Sequence, residues 1–202
     1  MFTLIIIGVT CLVSFMAMNN PQKKFNLLFY PEKIKRTGEL HRFLTSGFVH
    51  ADYMHLLFNM ITLYSLGTGL ENTFIAHHPL GGTLYVLLYF GCMIAADIPL
   101  YIKHKDNAGY MSLGASGAVL GVVFSFILFH PMAMFYGFVP AFIFGFIYLY
   151  YSYYASKRGL DNIAHDVHIS GALFGILFTL FFFPEVLHRF PGQIASFFSR
   201  FI

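Results

Sequence analysis

Long apolar runs recur along this chain, and they restrict its fold more than any other feature. Inside a bilayer a backbone must satisfy its own polar groups, which a helix does within one segment. Only 10% of the residues are charged and 57% are hydrophobic, whereas about a quarter of a soluble domain is charged. The sequence therefore predicts an all-α membrane protein, a single polytopic domain over residues 1–202 built as a six-helix bundle. The predicted helices cover about residues 2–18, 53–70, 83–102, 116–129, 132–154 and 167–183.

The ends of the chain and the long first connection allow further predictions. The first run has no basic residue before it and no small-residue cleavage site after it, so we expect a retained helix rather than a signal peptide. Residues 19–47 mix six of the twelve Lys and Arg residues with apolar groups, which is typical of amphipathic helices in the interface. We expect residues 185–202 to form another amphipathic segment. Cys11 and Cys92 both lie in apolar runs, which does not indicate a disulfide framework.

The run over residues 116–129 is too short to cross a bilayer. Fourteen helical residues extend about 21 Å, whereas the hydrocarbon core is about 30 Å thick. Irregular backbone at membrane depth is tolerated only where it is buried in protein or faces a water-filled cavity. We therefore expect the residues before Ser116 to dip into the protein, and Ser116 to begin its helix below the membrane surface.

Ser116 stands in the glycine-rich segment GASGAVLG, residues 114–121. The first N–H groups of a helix lack partners in the helix and favour negative charge, so an oxyanion at Ser116 would be stabilised there. The alternative is that Ser116 only caps the helix and that the glycines allow a neighbour to pack closely.

Polar side chains of the second, fourth and sixth predicted helices would lie toward one membrane face, because these helices run in the same direction. His55 and Asn59 are four residues apart and share a helix face, and His168 begins the last helix. Glycine pairs would let the helices of Ser116 and His168 touch closely. These pairs are Gly117 with Gly121 and Gly171 with Gly175. A histidine base beside a serine nucleophile is the pair that acyl transfer needs, and His55 and Asn59 could donate hydrogen bonds to an oxyanion.

Two other interpretations of the ionisable residues remain open. Each histidine could form a simple packing hydrogen bond, and we expect Asp97, near the end of its helix, to reach the interface. A metal site or transporter would instead use histidine and aspartate ligands. The residues available for it are His50, His55, His165, Asp166 and His168.

Three motifs of this sequence resemble the rhomboid family of intramembrane serine proteases. They are VHADYMHLLFN at 49–59, GASG at 114–117 and VHISGALFG at 167–175. The resemblance implies a rhomboid-like bundle with a short central fourth helix, in which Ser116 is the nucleophile and His168 the base, without an acidic third member. It also implies an oxyanion hole and its support. These roles fall to His55, Asn59, His50 and Gly114.

The resemblance further implies what the protein acts on and where. Such enzymes cut single-pass transmembrane proteins near the end of the transmembrane segment and need no cofactor, metal or nucleic acid. We expect a multi-pass integral protein whose other partner is the lipid bilayer, most simply that of a bacterial plasma membrane. A non-catalytic rhomboid-like protein that binds membrane helices is the alternative.

Three features depart from the family pattern. Relatives often carry a Trp-Arg pair in the long first loop, and this chain has no Trp, which bears on how that loop is anchored. Some relatives place a Tyr one turn after the nucleophile, where this chain has Leu120, which bears on how His168 is supported. The family topology also puts ten of the twelve Lys and Arg residues outside the cytoplasm, opposite to the positive-inside rule.

Overall fold

The computed structural model describes residues 1–135, 137–158 and 165–199, and these are mostly helical. In chain order, the α-helices are α1 (Phe2–Met18), α2 (Pro21–Leu27), α3 (Pro31–Thr37), α4 (Arg42–Thr45), α5 (Tyr53–Thr62), α6 (Thr68–His77), α7 (Gly81–His104), α8 (Ser116–Phe129), α9 (Ala141–Arg158), α10 (His165–Phe182) and α11 (Val186–Phe198). A 3₁₀ turn, Ser46–Phe48, follows α4, and a π-helical segment, Leu63–Gly67, joins α5 to α6. Within the described ranges, α7 and α10 are long and apolar enough to cross a membrane, and α1 and α8 are apolar but shorter.

The helix that the sequence predicts over residues 53–70 extends further in the structure, to His77. The π-helical segment keeps the helix continuous, so that α6 runs through Glu71 to His77. Glu71 is buried, and its carboxylate accepts hydrogen bonds from the N–H groups of Phe2 and Thr3, at 2.8 and 3.0 Å. The Glu71 carboxylate therefore caps the start of α1.

The helix predicted over residues 132–154 is wrong in its first part. Strands β1 (Met134–Phe135) and β2 (Val139–Pro140) form a small antiparallel hairpin there, and α9 begins only at Ala141. Gly137 adopts φ 81°, which a glycine tolerates in a tight turn, and Pro140 precedes the helix instead of kinking it. The helices predicted over 83–102 and 167–183 differ from α7 and α10 by at most two residues at each end.

Helix α8 lies at the centre of the bundle, and glycines bring its neighbours against its backbone. A Cβ atom on Gly171 would lie 2.1 Å from the Gly117 carbonyl oxygen, and one on Gly175 would lie 2.3 Å from the Gly121 carbonyl oxygen. α8 and α10 therefore touch backbone to backbone. On another side, a Cβ atom on Gly121 would lie 2.1 Å from Cys92 Sγ of α7.

The long first connection is anchored by Arg42, whose side chain is 1% exposed. Its guanidinium donates hydrogen bonds to the carbonyl oxygens of Phe25 and Leu28, at 3.0 and 2.7 Å. It also donates to Glu39 at 2.6 Å, and this hydrogen bond lowers the pKa of Glu39 to about 2. A single arginine thus holds α2 and the loop after α3 in place without a Trp.

The predicted amphipathic tail forms α11 as far as Phe198. Val186 is buried against the bundle, and Arg189 donates a hydrogen bond to His77 Nε2 at 2.9 Å. Residues 200–202 lie outside the described residues.

Candidate active site

Ser116 and His168 meet where α8 and α10 begin. The Ser116 hydroxyl lies 2.8 Å from His168 Nε2, which is hydrogen-bonding distance. His168 stands three residues before Gly171, on the face that contacts the Gly117 carbonyl oxygen. The glycine contacts of the two helices therefore bring the serine and the imidazole together.

The backbone turns sharply into α8 at Gly114. This residue has φ 122°, a conformation that side chains disfavour, and its N–H donates to the Ser46 carbonyl oxygen at 3.0 Å. Two residues earlier, Ser112 exchanges backbone hydrogen bonds with Phe29 of the first connection, at 2.9 and 3.1 Å. The loop that presents Ser116 is thus attached to the anchored first connection.

His50 contacts the backbone of the loop that leads into α8. Its Nε2 accepts a hydrogen bond from the Ala115 N–H at 3.3 Å, so its Nδ1 carries the proton. Nδ1 lies 2.9 Å from the Ser14 hydroxyl of α1, which in turn donates to the Phe48 carbonyl oxygen at 2.8 Å. Burial lowers the pKa of His50 to about 3, so the ring is neutral at physiological pH.

His55 and Asn59 line the cavity in front of Ser116, on α5. The His55 ring packs against Gly114, where a Cβ atom would lie 2.7 Å from its Cε1, and edge-on to His50 with ring centroids 5.0 Å apart. Asn59 donates an amide N–H to the His55 carbonyl oxygen at 2.8 Å. The structure therefore brings both histidines of VHADYMHLLFN, and Asn59 with them, to the GASG segment that holds Ser116.

His168 has a second partner that the sequence analysis missed. The Tyr148 hydroxyl of α9 lies 2.9 Å from His168 Nδ1, and the two ring centroids are 6.3 Å apart. Tyr148 belongs to a stretch with five tyrosines in seven residues, 148–154, and no periodicity singles it out. The position one turn after Ser116 is the buried Leu120, so the aromatic contact to the histidine comes from another helix.

Asp97 does not reach the interface as we expected. Its side chain is 6% exposed and lines the cavity that also holds Ser116 and His168. The Ser46 hydroxyl donates to Asp97 Oδ2 at 3.3 Å. The sequence predicts that Asp97 lies near the end of α7, but it does not predict that the side chain turns into the protein.

The serine and histidine lie between two open spaces. On one side is the cavity of about 810 Å³ that His55, Asn59 and Asp97 line. On the other side is a groove of about 530 Å³, lined mainly by apolar side chains of α5, α8 and α9. A more polar chamber and a more apolar groove therefore both open onto Ser116 and His168.

Asp166 and His165 are the two remaining ligands of the metal-site interpretation. Asp166 accepts a hydrogen bond from Lys103 at 3.0 Å, and another from Ser156. His165 meets His168 edge-on, with ring centroids 5.9 Å apart. Among the residues that the structure describes, no three His, Cys, Asp or Glu side chains are grouped so that they could hold a metal ion.

Comparisons with known proteins agree on one family. The model of the Rhomboid domain matches residues 37–185. The chain is 30% identical over 152 residues to RHOMBOID-like protein 12, mitochondrial, of Arabidopsis thaliana, which covers 68% of this chain and 45% of that protein. It is 34% identical over 85 residues to the putative rhomboid protease YdcA of Bacillus subtilis, which covers 42% of this chain and 39% of that protein. It is 31% identical over 101 residues to the rhomboid protease GlpG of Haemophilus influenzae, which covers 48% of this chain and 47% of that protein.

These alignments span less than half the length of each relative. The domain match nevertheless covers most of this chain and includes all three motifs around Ser116, His168 and Asn59. Rhomboid proteins are embedded in membranes, in keeping with the apolar helices α7 and α10. The chain belongs to the rhomboid family.

Proposed function

We propose that this protein is a serine endopeptidase that cleaves single-pass transmembrane proteins inside the bilayer. The observation that carries the proposal is the 2.8 Å contact between the Ser116 hydroxyl and His168 Nε2 at the start of α8. A serine hydroxyl is a weak nucleophile unless an adjacent base takes its proton, and this pair has the required geometry.

The reaction is acyl transfer in two steps. His168 Nε2 takes the hydroxyl proton while Ser116 Oγ attacks the substrate carbonyl carbon, and His168 then gives that proton to the leaving amine. In the second step His168 takes a proton from water, the hydroxide attacks the acyl-enzyme, and the proton returns to Ser116 Oγ. The enzyme ends each cycle in its starting state, and no cofactor enters the balance.

Negative charge develops on the carbonyl oxygen in both steps. The first N–H groups of a helix have no partners within the helix and favour negative charge, and Ser116 is the first residue of α8. His55 and Asn59 add side-chain donors from α5, on the wall of the same cavity. Preorganised donors of this kind stabilise a developing oxyanion.

The two open spaces suit a substrate that is partly apolar. One side of a transmembrane segment would pack against the apolar groove beside α5 and α9, and the more polar chamber would receive the part of the chain that has left the helical conformation. Unwinding is necessary because a hydrogen-bonded helix hides its carbonyl groups. We place the enzyme in a bacterial plasma membrane, which localisation of the tagged protein in its own cell would test.

Labelling with a fluorophosphonate probe tests the proposal directly, because such a probe reacts with an activated serine. The wild-type protein in detergent should be labelled and should cleave a model transmembrane substrate. Ser116→Ala should lose both activities while it keeps its helical content and its melting temperature. Ser125→Ala is the matched control, because Ser125 lies on the same helix but donates to the Gly121 and Gly175 carbonyl oxygens.

Two results would contradict the proposal. Cleavage at the wild-type rate by Ser116→Ala would show that another group does the chemistry. A folded wild-type protein that neither cleaves nor takes up the probe, but binds transmembrane helices, would be a non-catalytic rhomboid-like protein.

A further inference from the structure

The two ring nitrogens of His168 have different partners. Nε2 lies 2.8 Å from the Ser116 hydroxyl, and Nδ1 lies 2.9 Å from the Tyr148 hydroxyl. A base must offer an unprotonated Nε2 to the serine, and a neutral imidazole then carries its proton on Nδ1. In that tautomer Nδ1 donates and the Tyr148 oxygen accepts.

Tyr148 is held firmly enough to serve as a fixed acceptor. Its ring stacks on Phe144, one turn earlier in α9, with centroids 5.8 Å apart, and lies 6.4 Å from the ring of Phe124 in α8. Gly145 brings α9 close to α8, since a Cβ atom there would lie 3.2 Å from Ile127. The hydroxyl therefore reaches His168 from a third helix, which carries neither the serine nor the base.

We propose that Tyr148 is a positioning residue for His168, an inference that rests on the proposed peptidase function. Its oxygen keeps the proton on Nδ1 and aims Nε2 at Ser116, the place that a carboxylate takes in a serine–histidine–aspartate triad. When His168 takes the serine proton, the Nδ1–H bond becomes a bond from a charged donor and strengthens. Tyr148 thus stabilises the transition state more than the resting enzyme.

This role predicts a loss in kcat rather than in substrate binding. Tyr148→Phe keeps the aromatic ring and removes only the acceptor oxygen. A hydrogen bond from a charged group contributes enough that kcat should fall roughly ten- to a hundredfold. Because Tyr148 also borders the apolar groove, the KM must be measured as well, and it should stay within about twofold.

The matched control is Tyr150→Phe. Tyr150 lies on the same helix, and its side chain is 73% exposed, so this variant should match the wild type in kcat, KM and melting temperature. A rise in KM for Tyr148→Phe with unchanged kcat would overturn the inference, because Tyr148 would then only contact substrate. A fall in kcat of less than twofold would overturn it too.

A second measurement does not depend on enzymatic activity. Nitrogen NMR of the ¹⁵N-histidine-labelled protein, with the His168 signals assigned by their loss in His168→Ala, reports which ring nitrogen carries the proton. We expect the Nδ1–H tautomer in the wild type, and a mixture of tautomers in Tyr148→Phe. A wild-type His168 protonated on Nε2 would overturn the positioning role. An inactive wild type with the Nδ1–H tautomer would instead refute the peptidase and leave the hydrogen bond standing.

Discussion

Asn59 and His55 lie on the cavity wall, where we propose that they donate hydrogen bonds to the oxyanion. Single variants can separate this contribution from that of the proposed base, His168. Asn59 uses one amide proton for the His55 carbonyl oxygen, and its amide carries two, so one is left for an oxyanion. Asn59→Ala should slow cleavage about 10²–10³-fold without abolishing it, because the N–H groups of α8 and His55 remain. His55→Ala should be similar or more severe, since it also opens the cavity beside Gly114.

His168→Ala should differ from both, because it removes the proposed base. It should abolish probe labelling as well as cleavage, whereas labelling should survive better in the two donor variants. Cleavage and labelling rates of the single variants in one detergent decide between the roles. If Asn59→Ala were as inactive as Ser116→Ala while His168→Ala stayed active, the assignments of base and donor would be reversed.

His50 should make the folded protein sensitive to acid. Its pKa is about 3 in the folded protein and about 6.5 in the unfolded chain, because burial disfavours the charged ring. The unfolded state therefore binds the proton first, and the stability that neutral His50 supplies is complete above pH 6.5 and falls as the pH drops toward 3. The loss should be up to about 1.4 kcal/mol per pH unit.

Unfolding midpoints between pH 7 and pH 4 test this expectation. His50→Gln should be less stable than the wild type at pH 7, because it disturbs the hydrogen bonds to Ala115 and Ser14, but its stability should depend less steeply on pH. His188→Gln is a suitable control, since His188 lies on exposed surface of α11. Equal slopes in wild type and His50→Gln would mean that His50 does not carry the acid sensitivity.

At the scale of the helices, the site depends on how closely α8 and α10 approach each other. Gly175→Leu should lower activity and melting temperature together, because even a Cβ atom would lie 2.3 Å from the Gly121 carbonyl oxygen. Backbone cannot move aside as a side chain can, so the helices must separate, and overpacking of this kind costs about 1–3 kcal/mol or more. Separation would also draw His168 away from Ser116.

Gly8 on α1 provides the control, because nothing lies within 4 Å of a Cβ atom built there. Gly8→Leu should keep its activity and melt at or above the wild-type temperature, since glycine is a poor helix former. Thermal unfolding and cleavage would be measured on both variants in the same detergent. Full activity in Gly175→Leu would show that the contact between α8 and α10 does not set the distance between serine and base.

At the scale of the whole molecule, most basic residues lie at the end of the helix bundle that also holds the candidate active site. Lys35 pairs with Asp106, and Lys103 with Asp166, so the first connection, the loop after α7 and the start of α10 lie together. We expect this end to face away from the cytoplasm, as the family resemblance implies, although the positive-inside rule predicts the opposite.

Cysteine labelling of intact cells would settle the orientation. In a background without Cys11 and Cys92, a cysteine at Arg36 should react with a membrane-impermeant maleimide, and one at Arg189 should react only after the cells are permeabilised. Arg36 and Arg189 are both exposed, so neither is protected by the fold itself. The reverse pattern would mean that the charge distribution, and not the resemblance, predicts the topology.

The sequence alone determined what depends on short stretches of chain. The apolar runs predicted a helical membrane protein, and three local motifs predicted the family, which the domain match confirms. Gly114 before α8 and Pro131 after it mark helix ends by their own backbone chemistry. The spacing of Gly171 and Gly175 placed both on one helix face, because a helix repeats every 3.6 residues.

The tertiary structure alone decided which side chains from separate helices meet. Tyr148 reaches His168 because of the rotation of α9 about its axis and its close packing against the bundle. The tyrosine-rich sequence of residues 148–154 does not indicate which of its five tyrosines makes this contact. Asp97 faces the cavity and Arg42 holds the first connection for the same reason. Strands β1 and β2 replace the first part of a predicted helix because hydropathy reports how apolar a segment is and not which backbone conformation its residues adopt. Contacts of this kind depend on helix rotation and packing, which are properties of the assembled bundle.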